Sequence, residues 1–208
     1  KNPIRPKRPG SMGRRSSGRT RVYVHTLGCP KNEADSRTLA RALAETGAVF
    51  VDDPEQATHI LLNTCGFIRE AREESIAAIL EATSSYPDKK VMVFGCLVER
   101  YREELAQGIP EVAGWFGVVG GADQDGLVRG LEEGGPATPA GEVPVDDAGR
   151  DSAGDVMLPP EAHAYVKISD GCDELCTFCA IPGIKGAYHA ASPAEILVEA
   201  DACLKAGA

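Results

Sequence analysis

The sequence predicts an α/β protein: an amino-terminal domain with a parallel sheet of the Rossmann or flavodoxin type, then the first strand–helix unit of an α/β barrel. Three observations lead to this prediction. Strand-like apolar runs alternate with helical periodicity over residues 21–132, which is typical of crossovers and a parallel sheet. Residues 133–160 are rich in Gly, Pro and Asp without a period, which is typical of a linker. A new strand-like run then begins the incomplete second domain, 161–208.

In the first domain, each predicted strand is followed by a predicted helix. The strands are expected at 21–26, 58–63, 90–94 and 115–119. The helices are expected at 33–46, around 76–83, at 99–107 and at 123–132. The second of these helices is predicted to bury Ile76, Ile79, Leu80 and Thr83.

In the second domain, residues 164–169 alternate like a strand. Ser192, Pro193 and Glu195 form a capping box that predicts a helix start. The inward face of this helix is predicted to hold Ile196, Ala200, Cys203 and Leu204, with Gly207 as the stop. Cys203 is interpreted as a packed thiol.

Charge is unevenly distributed along the chain. The 208 residues include 22 Lys or Arg and 31 Asp or Glu, for a net charge of −9, and eight of the basic residues lie in 1–21. The strongly acidic remainder argues against a large basic face for nucleic acid. We interpret residues 1–20 as a basic disordered tail. No apolar run reaches the roughly 20 residues of a membrane span, so we expect a cytoplasmic protein without a membrane partner.

Three cysteines, here called the first triad, each directly follow a predicted strand. Cys29, Cys65 and Cys96 are separated by 36 and 31 residues, one strand–helix unit each. Parallel strands end at one edge of their sheet, where α/β proteins bind ligands, so we expect these thiols to converge. Three converging thiols indicate a metal cluster, whereas a lone cysteine is more often a buried packing residue.

A second triad, Cys172, Cys176 and Cys179, follows the strand-like run at 164–169, with spacings of three residues and then two. Three thiolates this close can ligate three irons of a cubic four-iron cluster and leave the fourth iron open. An iron with an open coordination position can bind a substrate or cofactor. Seven cysteines without a secretory signal also favour a reducing compartment, where thiols bind metal more often than they pair.

The spacing of the second triad, with an aromatic at Phe178, resembles the signature of radical S-adenosylmethionine enzymes. Within that superfamily the chain is similar to the methylthiotransferases, and the similarity covers nearly everything from Arg21 onward. It rests on segments around both triads: Leu27-Gly28-Cys29-Pro30-Lys31-Asn32, Asn63-Thr64-Cys65-Gly66-Phe67-Ile68, Gly95-Cys96-Leu97 and residues 164–172. The resemblance implies that the barrel is a radical S-adenosylmethionine domain.

The resemblance also implies the cofactors, which are two [4Fe–4S] clusters and S-adenosylmethionine. The first triad would bind an auxiliary cluster that carries the sulfur to be transferred. The second triad would bind the radical cluster, whose open iron is chelated by the amino and carboxylate groups of S-adenosylmethionine. Phe178 would contribute to the adenine environment. No side chain is expected to act as acid or base, and a reductant such as flavodoxin or ferredoxin is expected as a partner.

The residues after Cys29 indicate a branch of the family. Pro30-Lys31-Asn32 resembles the RimO branch, which methylthiolates the β-carbon of an aspartate in a small-subunit ribosomal protein. The alternative is the MiaB branch, which modifies adenosine in tRNA and usually has other residues there. One departure from the family is His189-Ala190-Ala191 after Lys185-Gly186, where arginines are common. The remaining barrel strands and a substrate-binding domain lie outside these residues, so we expect this piece alone to be inactive.

A non-catalytic iron–sulfur or zinc module is the alternative from a different class. Structural zinc takes four N or S ligands, so the second triad could recruit His163 or His189. Zinc explains neither Phe178 nor the first triad. His25 and His59 are interpreted as ordinary strand residues.

Overall fold

The computed structural model describes residues 20–119, 121–132, 163–174, 176–205 and 207. The predicted linker, and all of the predicted tail except Thr20, lie outside the described residues. The first domain contains β1 (Arg21–Thr26), α1 (Pro30–Glu45), β2 (Val49–Phe50), a 3-10 helix (Pro54–Gln56), β3 (His59–Thr64), α2 (Arg69–Ser85), β4 (Lys90–Gly95), α3 (Cys96–Gly108), β5 (Gly114–Phe116) and α4 (Gly121–Glu132). The second part contains β6 (Ser169–Asp170), α5 (Ile181–Lys185), β7 (His189–Ala190) and α6 (Pro193–Lys205).

The first domain is built on a five-stranded parallel sheet with the order β2-β1-β3-β4-β5. Tyr23 of β1 lies beside Ile60 of β3, which in turn lies beside Val91 of β4. The chain therefore adds β2 on one side of β1 and then β3, β4 and β5 on the other side. This order is flavodoxin-like, and the predicted α/β class with a parallel sheet is confirmed.

Two apolar layers cover the sheet, one on each face. Ile60 and Leu62 pack with α2 and α3 residues in one cluster, while Leu61 packs with α1 and α4 residues in the other. Successive strand residues point to opposite faces, so an uninterrupted apolar strand such as β3 requires helices on both sides. All six residues of β3 are buried.

Several element boundaries differ from the predictions. Helix α1 begins at Pro30, three residues before the predicted start, because Pro lacks the N–H that would go unpaired at this position. Strand β5 ends at Phe116, so the predicted extension to residue 119 is wrong. Leu80, predicted to be buried by α2, is 50% exposed, because α2 buries the stripe through Ser75, Ala78, Ile79 and Ala82 instead.

The second part agrees less closely with its prediction. The predicted strand at 164–169 is wrong except at its end, because only Ser169–Asp170 pairs, and it pairs antiparallel with His189–Ala190. The predicted helix start is confirmed, since Ser192 and Glu195 exchange backbone-to-side-chain hydrogen bonds of 2.7 and 3.3 Å. Leu204 is exposed, contrary to the prediction. The barrel itself is not confirmed.

Candidate metal centre

The first triad lies along the carboxyl edge of the sheet. Cys29 is the N-cap of α1 directly after β1, Cys65 directly follows β3, and Cys96 opens α3 directly after β4. Strands β1 and β3 are neighbours from which the chain departs in opposite directions. A crevice at such a switch point is where open α/β sheets bind ligands.

Two close backbone approaches bring the three loops together. Gly28 has φ +101°, and a Cβ built there would lie 2.6 Å from Cys65 Cβ and 3.2 Å from its Sγ. A Cβ on Gly66 would lie 2.9 Å from the carbonyl oxygen of Cys96. Only glycine fits at such distances. The Cys65 loop therefore touches the loops of both other cysteines.

Asn32 lies at the centre of this arrangement. Its Oδ1 is 3.8 Å from Cys29 Sγ and 4.0 Å from Cys96 Sγ, both in thiol hydrogen-bond range. Its Nδ2 donates to the carbonyl oxygens of Leu27 and Thr64 at 2.8 and 3.3 Å. The side chain is 1% exposed. Sequence reasoning gave Asn32 no role of its own, although its position three residues after the N-cap Cys29 is the signal that was available.

The thiols of the first triad have different surroundings. Cys65 and Cys96 are buried, whereas Cys29 is exposed. Burial raises the pKa of Cys96 to about 11. The Lys185 ammonium lowers this pKa, whereas Cys65 and Cys29 raise it further. Asp35 also raises the pKa of Cys96. A metal that binds Cys96 must displace its proton.

The second triad lies on the loop between β6 and α5. Cys172 is half-buried, and its N–H donates to the carbonyl oxygen of Gly186 at 3.1 Å. The Cys179 N–H donates to the carbonyl oxygen of Cys176 at 3.0 Å, and Ile181 N–H donates to Cys179 Sγ at 3.4 Å. Phe178 is 92% exposed. The loop therefore folds back on the residues after α5 and leaves its aromatic side chain accessible.

The donor sets consist of thiols, which are the ligands that iron–sulfur clusters take. All seven cysteines are free thiols, six of them in the two triads. Among the described residues, no three His, Cys, Asp or Glu side chains are arranged to hold one metal ion. A cubic cluster binds each thiolate at a different iron, so its ligands do not have to surround one point.

The zinc alternative gains no support from the described residues. His163 is exposed and lies edge-on against the ring of Tyr165, with centroids 5.3 Å apart. His189 is exposed in β7. Among the described residues, neither histidine belongs to a group of three side chains that could hold a metal ion.

Known proteins resemble both parts of the chain. Residues 21–117 match the family described as Uncharacterized protein family UPF0004. Over 192 residues the chain is 42% identical to the ribosomal protein uS12 methylthiotransferase RimO of Anaeromyxobacter sp. (strain K), covering 90% of this chain and 40% of that protein. This chain is a homologue of the RimO methylthiotransferases.

Other RimO proteins give the same result. The chain is 43% identical over 190 residues to RimO of Thermotoga sp. (strain RQ2) and 42% identical over 190 residues to RimO of Thermotoga maritima, in each case covering 90% of this chain and 42% of the relative. The predicted similarity to RimO methylthiotransferases is thus confirmed. The chain spans about two fifths of the length of these RimO proteins. Among the described residues, no helix has the length and apolarity needed to cross a membrane.

Proposed function

We propose that the full-length protein is a radical S-adenosylmethionine methylthiotransferase that modifies the β-carbon of an aspartate in ribosomal protein uS12. The observation that carries this proposal is the meeting of Cys29, Cys65 and Cys96 at the switch point of the sheet. The similarity to the RimO relatives, which are ribosomal protein uS12 methylthiotransferases, supports this activity and this substrate. A ribosomal substrate would place the reaction in the cytoplasm.

The two triads would hold two different groups. The first triad would hold an auxiliary cluster as sulfur carrier, and the second would hold the cluster that binds S-adenosylmethionine. When reduced by a flavodoxin or ferredoxin, this second group supplies the radical chemistry that activates a C–H bond. The role of the protein is to bind these groups, orient them and exclude water.

The chain's own residues fit those tasks. Burial of Cys65 and Cys96 shields one side of the first site from water, while exposed Cys29 leaves the other side open to a substrate. The Asn32 side chain fixes the loops of Cys29 and Cys65 through its bonds to Leu27 and Thr64. The exposed ring of Phe178 is free to lie against an adenine.

Mass spectrometry of uS12 and of tRNA from cells that lack the gene tests this proposal. Complementation with the full-length wild-type protein should restore the methylthio group on uS12, whereas a Cys96→Ala variant should not. Cys203→Ala is the matched control, because Cys203 is equally buried but lies in α6, outside both triads. We expect this variant to restore the modification.

A tRNA substrate is the competing outcome of the same experiment. If the gene deletion removes a methylthio group from tRNA and leaves uS12 modified, the protein acts as a MiaB-type enzyme and the proposed substrate is wrong. Pro30-Lys31-Asn32 and the similarity to uS12 methylthiotransferases favour the ribosomal protein.

A further inference from the structure

Five charged side chains form an ion cluster between α1 and the segments that flank the second triad. Two aspartates, Asp35 and Asp170, form its centre. Lys185 Nζ lies 2.8 Å from Asp35 Oδ2 and 3.6 Å from Asp170 Oδ2. Lys167 bridges the same two carboxylates at 2.5 and 3.2 Å. Lys31 Nζ lies 3.1 Å from Asp170 Oδ1.

The central members of the ion cluster are withdrawn from water. The side chains of Asp35, Asp170 and Lys185 are 5%, 7% and 5% exposed. Removing one partner of a buried ion pair is costly, because the other charge is left without compensation. A variant that lacks one of these partners therefore leaves a buried charge uncompensated, whereas loss of an exposed ion pair costs little.

The ion cluster connects directly to both triads. Asp35 lies on α1, six residues after Cys29, and Asp170 lies two residues before Cys172. Lys185 ends the short helix α5 that follows Cys179. Helix α5 packs against α3, the helix that Cys96 opens. The loop of the second triad is thus followed by a helix that packs beside the first triad and ends in a lysine.

We propose that Lys185 is a positioning residue that fixes the second triad relative to the first triad through Asp35 and Asp170. This positioning matters for the reaction if the proposed function is right. Transfer between two bound groups then depends on their separation to within about 1 Å. Three lysines and two aspartates form the ion cluster, which therefore carries a net positive charge. Because α5 packs against the helix that Cys96 opens, the Lys185 charge also stabilises negative charge gained at the first triad on reduction.

Amide hydrogen exchange of the metal-free full-length protein tests the positioning role. In Lys185→Met, exchange should accelerate together in α1 and in residues 163–190, by roughly tenfold, because opening no longer breaks the buried pairs of Lys185. Lys185→Arg keeps the charge and should restore most of the protection. Glu199→Gln is the control, because it breaks the ion pair of Arg41 with Glu199, which joins α1 to α6 and involves no residue of either triad. It should accelerate exchange in α6 and leave exchange in residues 163–190 unchanged.

Reduction potentials of the iron-loaded protein give a second readout that a purely structural role would not change. Loss of the Lys185 charge should shift the potential of the group at the first triad to a more negative value, and Lys185→Arg should reverse most of that shift. If Lys185→Met changes neither exchange nor potential, the proposal is wrong. A Lys185→Met protein that unfolds while Lys185→Arg folds supports it. A protein that binds no iron contradicts the proposed function, and hydrogen exchange then decides the positioning role alone.

Discussion

Gly28 is the residue at which the loops of Cys29 and Cys65 come closest. Its positive φ and the 2.6 Å distance from a built Cβ to Cys65 Cβ exclude any larger residue without a shift of the Cys65 backbone. Gly47 shares the positive φ, at +85°, but a Cβ there meets nothing within 4 Å. Both positions thus favour glycine because of their positive φ, but only Gly28 also lacks the space for a Cβ.

We predict that Gly28→Ala destabilises the protein more than Gly47→Ala does. A left-handed conformation costs a non-glycine residue about 1–2 kcal/mol, which both variants share. Only Gly28→Ala adds a clash, so it should lose further stability in urea denaturation and bind less iron at the first triad. Equal losses of stability and undiminished iron binding would show that the two loops do not need this close approach.

His59 provides a pH-dependent test at the residue scale. The side chain is 5% exposed, its Nδ1 lies 2.9 Å from Thr58 Oγ1, and Nε2 has no hydrogen-bond partner among the described residues. Burial, with a smaller contribution from Lys90, lowers its pKa from 6.5 to about 4. The unfolded chain therefore binds a proton at a pH where the folded protein does not.

We predict that the free energy of unfolding decreases as the pH falls from 6.5 to 4, with His59 contributing at most about 3 kcal/mol. The His59 contribution is fully present above pH 6.5. In His59→Asn this part of the pH dependence should disappear in urea denaturation measured across the range. His163→Gln, at an exposed position, should retain it, and an unchanged slope in His59→Asn would contradict the assignment.

At the scale of elements, sequence patterns predicted the strands of the first domain well. A strand that is covered on both faces has a nearly continuous apolar sequence, as in the run 58–63. Strand β3 matches that run almost residue for residue. The run at 164–169 alternates just as clearly, yet only its last residue pairs. Strand formation there depends on a partner distant in sequence, and local alternation does not contain that information. The two-residue strand β2 is too short to give a pattern.

Helix α2 offers a direct test of which face packs. Its predicted inward stripe included both Ile79 and Leu80, but Ile79 is 0% exposed and Leu80 is 50% exposed. Ile79→Ala should lower the free energy of unfolding by about 2–4 kcal/mol because it leaves a cavity. Leu80→Ala should cost less than about 1 kcal/mol. Similar costs for the two neighbours in urea denaturation would mean that α2 packs in another rotation.

At the scale of the whole molecule, the convergence of the first triad could be predicted because it follows from strand order alone. Each cysteine lies just past a strand end, and parallel strands present those ends at one edge. The ion cluster could not be predicted. Asp35 and Lys185 are 150 residues apart, and no local pattern marks either as buried. Asn32 was missed for a similar reason, because its contacts with Leu27 and Thr64 require two loops to meet.

Iron content after anaerobic reconstitution tests the central claim, that the two triads hold separate clusters. The full-length wild-type protein should bind about eight irons, as two four-iron clusters. Cys29→Ala/Cys65→Ala/Cys96→Ala and Cys172→Ala/Cys176→Ala/Cys179→Ala should each retain about four, with iron–sulfur charge-transfer absorption. Stoichiometric zinc without that absorption, or undiminished iron in either triple variant, would contradict the claim.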